Sequence, residues 1–119
     1  MKKTVVIGAS PNPNRYAHRA TIQLAKNGHE VIPVGLRKGE INGIEIVTDR
    51  PEIEDVDTVT LYVGPKHQDS WKAYIDKLRP KRIIFNPGTQ NPEFEKHFSD
   101  QGIEVEHACT LVQLSIGNY

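Results

Sequence analysis

The chain opens with a short run of β-branched apolar residues that stops abruptly in a turn. Val5-Val6-Ile7 is followed by Gly8-Ala9-Ser10 and by a stretch of Pro and Asn that ends at Arg15. A continuous apolar run of this length is typical of a parallel strand buried on both faces. Small and apolar residues then recur at three- and four-residue spacing over 15–27, which predicts a helix that ends at Gly28. A strand, a tight turn and a helix in this order indicate the first unit of an α/β fold.

The alternation of strand-like and helix-like patterns continues along the chain. Further strands are predicted at 30–34, 44–47, 57–63, 82–85 and 103–105, a single helical turn at 49–55, and helices at 66–78 and 92–101. Asn91 is suited to cap the last helix, because Pro92 follows at its first position. The apolar residues beyond 105 are expected to pack on the core. The pattern predicts one α/β domain over residues 1–119, with a mainly parallel open sheet between two layers of helices.

Composition and charge indicate an ordinary folded chain without a strong electrostatic field. Of the 119 residues, 37% are hydrophobic and 25% charged, and 15 Lys and Arg balance 15 Asp and Glu. We therefore expect neither nucleic acid nor a membrane surface as a partner. The apolar runs are strand-sized, residues 1–3 lead into a strand instead of a signal sequence, and the single cysteine, Cys109, excludes an internal disulfide. These features favour a cytoplasmic protein.

The residues that follow each predicted strand are the candidate site, because ligands of open parallel sheets bind outside the carboxyl ends of the strands. After the first strand, Gly8 permits a tight turn and Ser10 offers a hydroxyl group. The amides near Asn14 and Arg15, with the charge of Arg15, suit a phosphate at a helix N-terminus. Ser, Pro and Asn are also favoured in an ordinary βα loop, and this alternative stays open.

The exit of the second strand carries two cations and no acid. Enzymes that use NAD generally place an Asp or Glu here to hold the ribose hydroxyls. In this chain Val34 is followed by Gly35 and Leu36 and then by Arg37 and Lys38. The pattern favours a ribose that carries its own phosphate, as in NADP or coenzyme A, although a solvated basic loop would have the same sequence.

The two later exits offer backbone amides and small residues. Gly64-Pro65, after the strand that ends near Val63, keeps the backbone close and rigid and could line an adenine or a diphosphate. Pro87-Gly88 could lie along a pantetheine arm or another chain, and this segment is equally plausible as a turn with a helix cap. His67 lies nearby, but no acidic partner stands at a readable spacing.

Signals for catalysis are sparse along the chain. The five histidines are scattered, and a single cysteine cannot build a zinc site. His107 and Cys109 share one face of an extended segment, a spacing that favours a buried structural cysteine over a nucleophile pair. We therefore expect a binding protein without catalysis of its own.

Three segments, at 5–15, 28–34 and 42–47, resemble the small stand-alone CoA-binding proteins, which are similar to the nucleotide-binding domain of the succinyl-CoA synthetase α subunit. The resemblance covers nearly the whole chain and implies a Rossmann-like fold that binds coenzyme A or an acyl-CoA. The exit of the second strand departs from the Val-Asn-Pro that is common in the family.

The resemblance also implies which residues contact the ligand. Gly8, Ala9 and Ser10 would contact the phosphates with help from Arg15, and Val34 and Lys38 would lie beside the adenosine. Either Arg37 or Lys38 would bind the ribose phosphate. Val63, Gly64 and Pro65 would flank the adenine side, and Pro87 and Gly88 would lie along the diphosphate or the pantetheine.

Two other functions stay open at this point. One is a small oxidoreductase that uses NADP, and the other is a vestigial site on a module for interaction or homo-oligomerisation.

Overall fold

A five-stranded parallel sheet with helices on both faces forms the centre of the computed structural model, which describes residues 1–119. The strands are β1 (Thr4–Ala9), β2 (Val31–Gly35), β3 (Glu40–Ile41), β4 (Ile44–Glu45), β5 (Thr58–Leu61), β6 (Arg82–Phe85) and β7 (Glu104–His107). The helices are α1 (Tyr16–Lys26), α2 (Lys72–Leu78), α3 (Pro92–Ser99) and α4 (Thr110–Ser115). The main sheet has the order β2-β1-β5-β6-β7, and all of its neighbouring strands are parallel. The predicted Rossmann-like α/β fold is confirmed.

Alternation along the buried strands divides the core into two layers. Val5 and Ile7 belong to a cluster with residues of α2 and α3, whereas Val6 belongs to a cluster with residues of α1 and α4. Successive side chains of a strand point to opposite faces, so a run that is apolar at every position buries both faces of the sheet. Phe98, which is fully buried, lies in the first layer.

The order in which strands are added to the sheet reverses between β1 and β5, although the two strands are parallel. From β1 the chain passes through α1 to β2 on one side, and from β5 it passes through α2 to β6 on the other. The connections at this point leave the sheet in opposite directions, which opens a crevice at the carboxyl ends of β1 and β5.

A small hairpin stands where one continuous strand was predicted at 44–47. β3 and β4 pair antiparallel around Asn42 and Gly43, which both have positive φ as a tight hairpin turn requires. Beyond the hairpin, Val47 forms an isolated parallel bridge with Val34 on the edge of the main sheet.

The predicted helical turn at 49–55 is wrong. Arg50 and Asp55 have φ values of 49° and 57°, in the left-handed region that a right-handed helix excludes. The segment is held by tertiary contacts instead, because the Arg50 guanidinium lies 3.5 Å from the centre of the Trp71 ring and the Pro51 carbonyl accepts a hydrogen bond from Tyr74.

Two further differences lie in the second half of the chain. The helix predicted at 66–78 begins as two short 3-10 helices, Pro65–His67 and Asp69–Trp71, and becomes α-helical only at Lys72. The apolar tail beyond 105 forms the end of β7 and α4, which packs on the same face as α1. No helix in the structure has the length and apolar character needed to cross a membrane.

Candidate functional site

A cleft of 680 Å³ lies at the carboxyl ends of β1, β5 and β6. Its volume is in the range of about 300–1,000 Å³ that is usual for small-molecule and cofactor sites. It is lined by most of the predicted exit residues together with some of their neighbours, and no Asp or Glu is among them: Gly8, Ala9, Ser10, Asn12, Arg15, Tyr16, Ala17, Leu36, Arg37, Tyr62, Val63, Gly64, His67, Ser70, Trp71, Pro87, Gly88 and Thr89.

The turn after β1 forms the floor of the cleft and depends on Gly8. Its φ is +98°, and a β-carbon there would lie 3.0 Å from the Tyr62 carbonyl oxygen at the end of β5. A side chain would thus be strained by the backbone conformation and crowded by the neighbouring strand. The Ser10 hydroxyl accepts a hydrogen bond from the Asn12 amide at 3.1 Å, so its proton stays available to a ligand.

The first turn of α1 faces this loop with unused donors. Arg15 is the N-cap residue and makes no side-chain capping bond, and the first turn contains no acid. The backbone N–H groups of Tyr16 and Ala17 donate to no acceptor in the protein. Unsatisfied amides at a helix N-terminus carry partial positive charge and suit an anion such as a phosphate.

The exit of β2 is pressed against the exit of β1 at two glycines. A β-carbon at Gly35 would lie 2.2 Å from the Ala9 carbonyl oxygen, and one at Gly39 would lie 2.8 Å from Cβ of Pro11. Between these contacts, Arg37 lines the cleft, whereas Lys38 lines a separate depression beside the β3–β4 hairpin. The two cations that the sequence could not distinguish therefore lie on different surfaces.

An aromatic wall closes the side of the cleft nearest α2. Trp71 is only 2% exposed, and the Arg50 guanidinium covers one face of its ring. Tyr62 packs on the other face of the sheet, with residues of α1 and α4, and burial raises the pKa of its hydroxyl well above the usual value. The phenol is therefore neutral at physiological pH, and Tyr62 contributes an uncharged surface to the cleft.

Most of the predicted contact residues lie together in this cleft: Gly8, Ala9, Ser10, Arg15, Arg37, Val63, Gly64, Pro87 and Gly88. Four others do not line it, namely Asn14, Val34, Lys38 and Pro65. Val34 is fully buried because it pairs with Ile7 inside the sheet, which leaves no side-chain surface for an adenosine. The contacts of all these residues with a ligand stay predictions.

Several residues that line the cleft were not among the predicted contact residues. Tyr16 and Leu36 are 64% and 79% exposed, which is unusual for large apolar side chains, and both directly adjoin predicted site residues. Thr89 directly follows Gly88, whereas Trp71 reaches the cleft from further along its segment. Leu36 lies within the exit of the second strand, between Val34 and Arg37, and an extension of the first exit by one residue would have included Tyr16.

The side chains that could act as a nucleophile, as an acid or base, or as metal ligands do not lie together in one site. His67 lines the cleft, but its imidazole makes no hydrogen bond. Cys109 is half-buried at the start of α4 and outside the cleft lining, while His107 pairs with Glu95. No group of three or more His, Cys, Asp or Glu side chains is arranged to hold a metal ion.

Comparison with known proteins identifies relatives of the whole chain. The sequence profile of a family described as CoA binding domain matches residues 2–115. The crystal structure of an uncharacterized protein is 55% identical, with a TM-score of 0.97 over 100% of this chain and 98% of that one. A protein from Thermus thermophilus is 28% identical, with a TM-score of 0.82 over 99% of this chain and 91% of that one.

A more distant structure shares the fold alone. It is a dinucleotide-forming acetyl-coenzyme A synthetase from Ca. Korarchaeum cryptofilum, in complex with phosphate and ADP. The identity is 18% and the TM-score 0.69, over 89% of this chain and 25% of that one. Among curated proteins there is no significant match.

Proposed function

The chain belongs to the CoA-binding domain family, and from this premise we propose that it binds coenzyme A or an acyl-CoA in the cleft, without catalysis of its own. The observation that carries the proposal is the free N-terminus of α1. Two backbone amides without acceptors face a cleft that contains Arg15 and Arg37 and no carboxylate. Such a surface selects a ligand with several phosphate charges.

The diphosphate is proposed to bind at the turn after β1. The amides of Tyr16 and Ala17 and the hydroxyl of Ser10 offer donors, and Gly8 lets the backbone come close to the ligand. Arg15 adds a charge at the edge of this turn. Donors that are fixed before the ligand arrives reduce the entropy lost on binding.

The 3′-phosphate is proposed to bind Arg37, because Arg37 lines the cleft and Lys38 does not. A guanidinium group can donate two parallel hydrogen bonds to one phosphate. The exposed side chains of Tyr16 and Leu36 offer apolar contacts for the adenine. Pro87 and Gly88 would then lie along the pantetheine arm.

Binding without catalysis is the form of the proposal that the cleft supports best. His67 provides the imidazole that lines the cleft, and no carboxylate lines the cleft to orient it. General acid–base and nucleophilic mechanisms depend on such a paired arrangement.

Calorimetric titration of the purified protein with coenzyme A, dephospho-coenzyme A and NADP⁺ tests the proposal. We expect coenzyme A to bind and dephospho-coenzyme A to bind about tenfold more weakly, since a hydrogen-bonded charge pair is lost. Equal affinity for the two would remove the role of Arg37. Preference for NADP⁺, whose ribose phosphate Arg37 could also bind, would favour the oxidoreductase instead. If none of the three nucleotides binds at millimolar concentration, the site is vestigial.

A mass spectrum of the natively purified protein provides an independent check. A co-purifying ligand with the mass of coenzyme A or an acyl-CoA is the expected result, and its mass would identify the acyl group. A different co-purifying nucleotide would overturn the assignment.

A further inference from the structure

We propose that Gln68 is a positioning residue for coenzyme A, which fixes the separation between the two walls of the cleft that follow β5 and β6. The inference rests on the proposed function. Gln68 is completely buried. Its Nε2 donates to the carbonyl oxygens of Val63 at 2.9 Å and Thr89 at 2.7 Å, and both of these residues line the cleft.

The backbone ladder does not hold these two walls together. Pairing between β5 and β6 ends at Leu61 and Phe85. Beyond that point the two segments separate around the cleft, and the Gln68 side chain connects their backbones. Closer to the strands, Asn86 donates to the Leu61 carbonyl at 3.0 Å and accepts from the Thr89 hydroxyl at 2.7 Å. Gln68 is the side chain that bonds Thr89 and Val63 to each other directly, at the lining of the cleft.

A primary amide has the donors and acceptor that this position requires. Its nitrogen has two N–H donors, one for each carbonyl, and its oxygen accepts a hydrogen bond from Nδ2 of Asn91 at 3.1 Å. Asn91 is the N-cap residue of α3, so the amide is anchored on a helix. A buried polar side chain with every hydrogen bond satisfied specifies one geometry, because each alternative leaves a buried group without a partner.

The local chain conformation is consistent with this role. The helix predicted from residue 66 is interrupted by two 3-10 helices, and Gln68 lies between them. The backbone N–H of Gln68 donates to the Pro65 carbonyl at 3.3 Å, and the backbone carbonyl of Gln68 accepts from the Trp71 N–H at 2.8 Å. The interruption lets Gln68 point inward where a regular helix would continue.

The position of the two walls indicates which part of coenzyme A should depend on Gln68. In the proposed arrangement the adenine lies against Tyr16 and Leu36, not beside Val63 as the resemblance implies. The nucleotide half is then held by groups that Gln68 does not touch. The pantetheine arm, proposed to lie along Pro87 and Gly88, contacts the wall that Gln68 positions. Gln68 should therefore contribute to the affinity for whole coenzyme A and little to that for its nucleotide half.

The variant Gln68→Met tests this inference, because it keeps the volume of the side chain and removes its hydrogen bonds. Calorimetry with coenzyme A and with adenosine 3′,5′-bisphosphate should show a loss of about tenfold for coenzyme A and less than about twofold for the bisphosphate. Gln113→Met is the matched control. Gln113 is buried, donates to Oε1 of Glu106 at 3.1 Å and lies outside the cleft lining. We expect this control to bind both ligands as the unmodified protein does.

A second variant covers the case in which Gln68→Met does not fold. Asn91→Ser keeps an oxygen to cap α3 but is too short to reach Gln68, and it should weaken coenzyme A about threefold with the bisphosphate unchanged. Unchanged affinity for coenzyme A in the variants, or an equal loss for both ligands, would overturn the positioning role. Failure of the unmodified protein to bind either ligand would instead overturn the proposed function.

Discussion

Gly35 passes so close to Ala9 that an added β-carbon would lie 2.2 Å from the Ala9 carbonyl oxygen. The two residues are also partners in the parallel ladder, just beyond a register shift that follows Ile7. The contact fixes the exit of β2 against the exit of β1. The turn proposed for the diphosphate and the loop that carries Arg37 are therefore held as one unit.

The variant Gly35→Ala should be destabilised by at least about 2 kcal/mol, because the clash is with backbone atoms that cannot rotate away. Urea unfolding at neutral pH measures the change. Gly64→Ala is the matched control, since Gly64 has a φ of −65° and nothing lies within 4 Å of an added β-carbon. The free energy of unfolding of that control should rise by up to about 1 kcal/mol. Equal stability of the two variants would contradict the close contact.

Arg37→Ala should lower the affinity for coenzyme A about tenfold and leave that for dephospho-coenzyme A nearly unchanged, because only the first ligand carries the 3′-phosphate. Lys38→Ala removes the same charge from the neighbouring surface and should change neither affinity by more than about twofold. Calorimetry at one fixed salt concentration makes the comparison. A larger effect of Lys38 would assign the phosphate to the other side of the loop.

Stability should decrease on mild acidification because of His29. Burial lowers the pKa of this imidazole below 6.5, and the positive charges of the N-terminus and Lys2 lower it further. The neutral ring accepts a hydrogen bond at Nδ1 from the Lys2 amide at 2.9 Å. Since the unfolded chain binds the proton more readily, this contribution is complete above the unfolded pKa and is lost as pH falls through the folded one. Urea unfolding between about pH 7 and 5 should show that the free energy of unfolding depends less on pH in His29→Gln than in the unmodified protein. Parallel pH profiles of the two proteins would contradict the role of His29.

Stability should also decrease at alkaline pH, through Tyr74. Burial raises the pKa of this phenol to about 12, and the nearby Asp49 carboxylate contributes in the same direction. Its hydroxyl donates to the Pro51 carbonyl at 2.8 Å. The raised pKa means that this contribution is complete below about pH 10 and is lost between about pH 10 and 12.

The variant Tyr74→Phe isolates this effect. Because the hydrogen bond is lost, its free energy of unfolding at neutral pH should be lower by about 1 kcal/mol. Above pH 10 this free energy should decline less steeply than that of the unmodified protein. If the variant and the unmodified protein decline equally, other groups account for the alkaline loss.

Much of the fold could be predicted because its signals are local. The apolar runs around Val5 and Ile83 are buried on both faces, and such runs indicate parallel strands without any tertiary information. The segment at 49–55 could not be predicted in this way. Asp49 and Pro51 are typical of a helix start, but the stacking of Arg50 on Trp71 holds the backbone in another conformation.

The site was partly predictable for a topological reason. The carboxyl ends of parallel strands meet at one edge of the sheet, so residues such as Gly8, Val63 and Gly88 are expected together and do line one cleft. The choice between Arg37 and Lys38 depends on which way a loop turns, which no local pattern encodes. Gln68 could not be recognised either, because its partners are set by how two loops pack in three dimensions.

The stacking of Arg50 on Trp71 has a practical consequence, because the chain contains a single tryptophan. Emission excited in the indole band therefore reports on one position, and that position lies in the wall of the cleft. One face of the ring is covered by the Arg50 guanidinium and the residue lines the cleft, so its emission is sensitive to changes at this wall. The proposed binding of coenzyme A in the cleft is therefore expected to change the emission of Trp71, and titration can follow that change without a label.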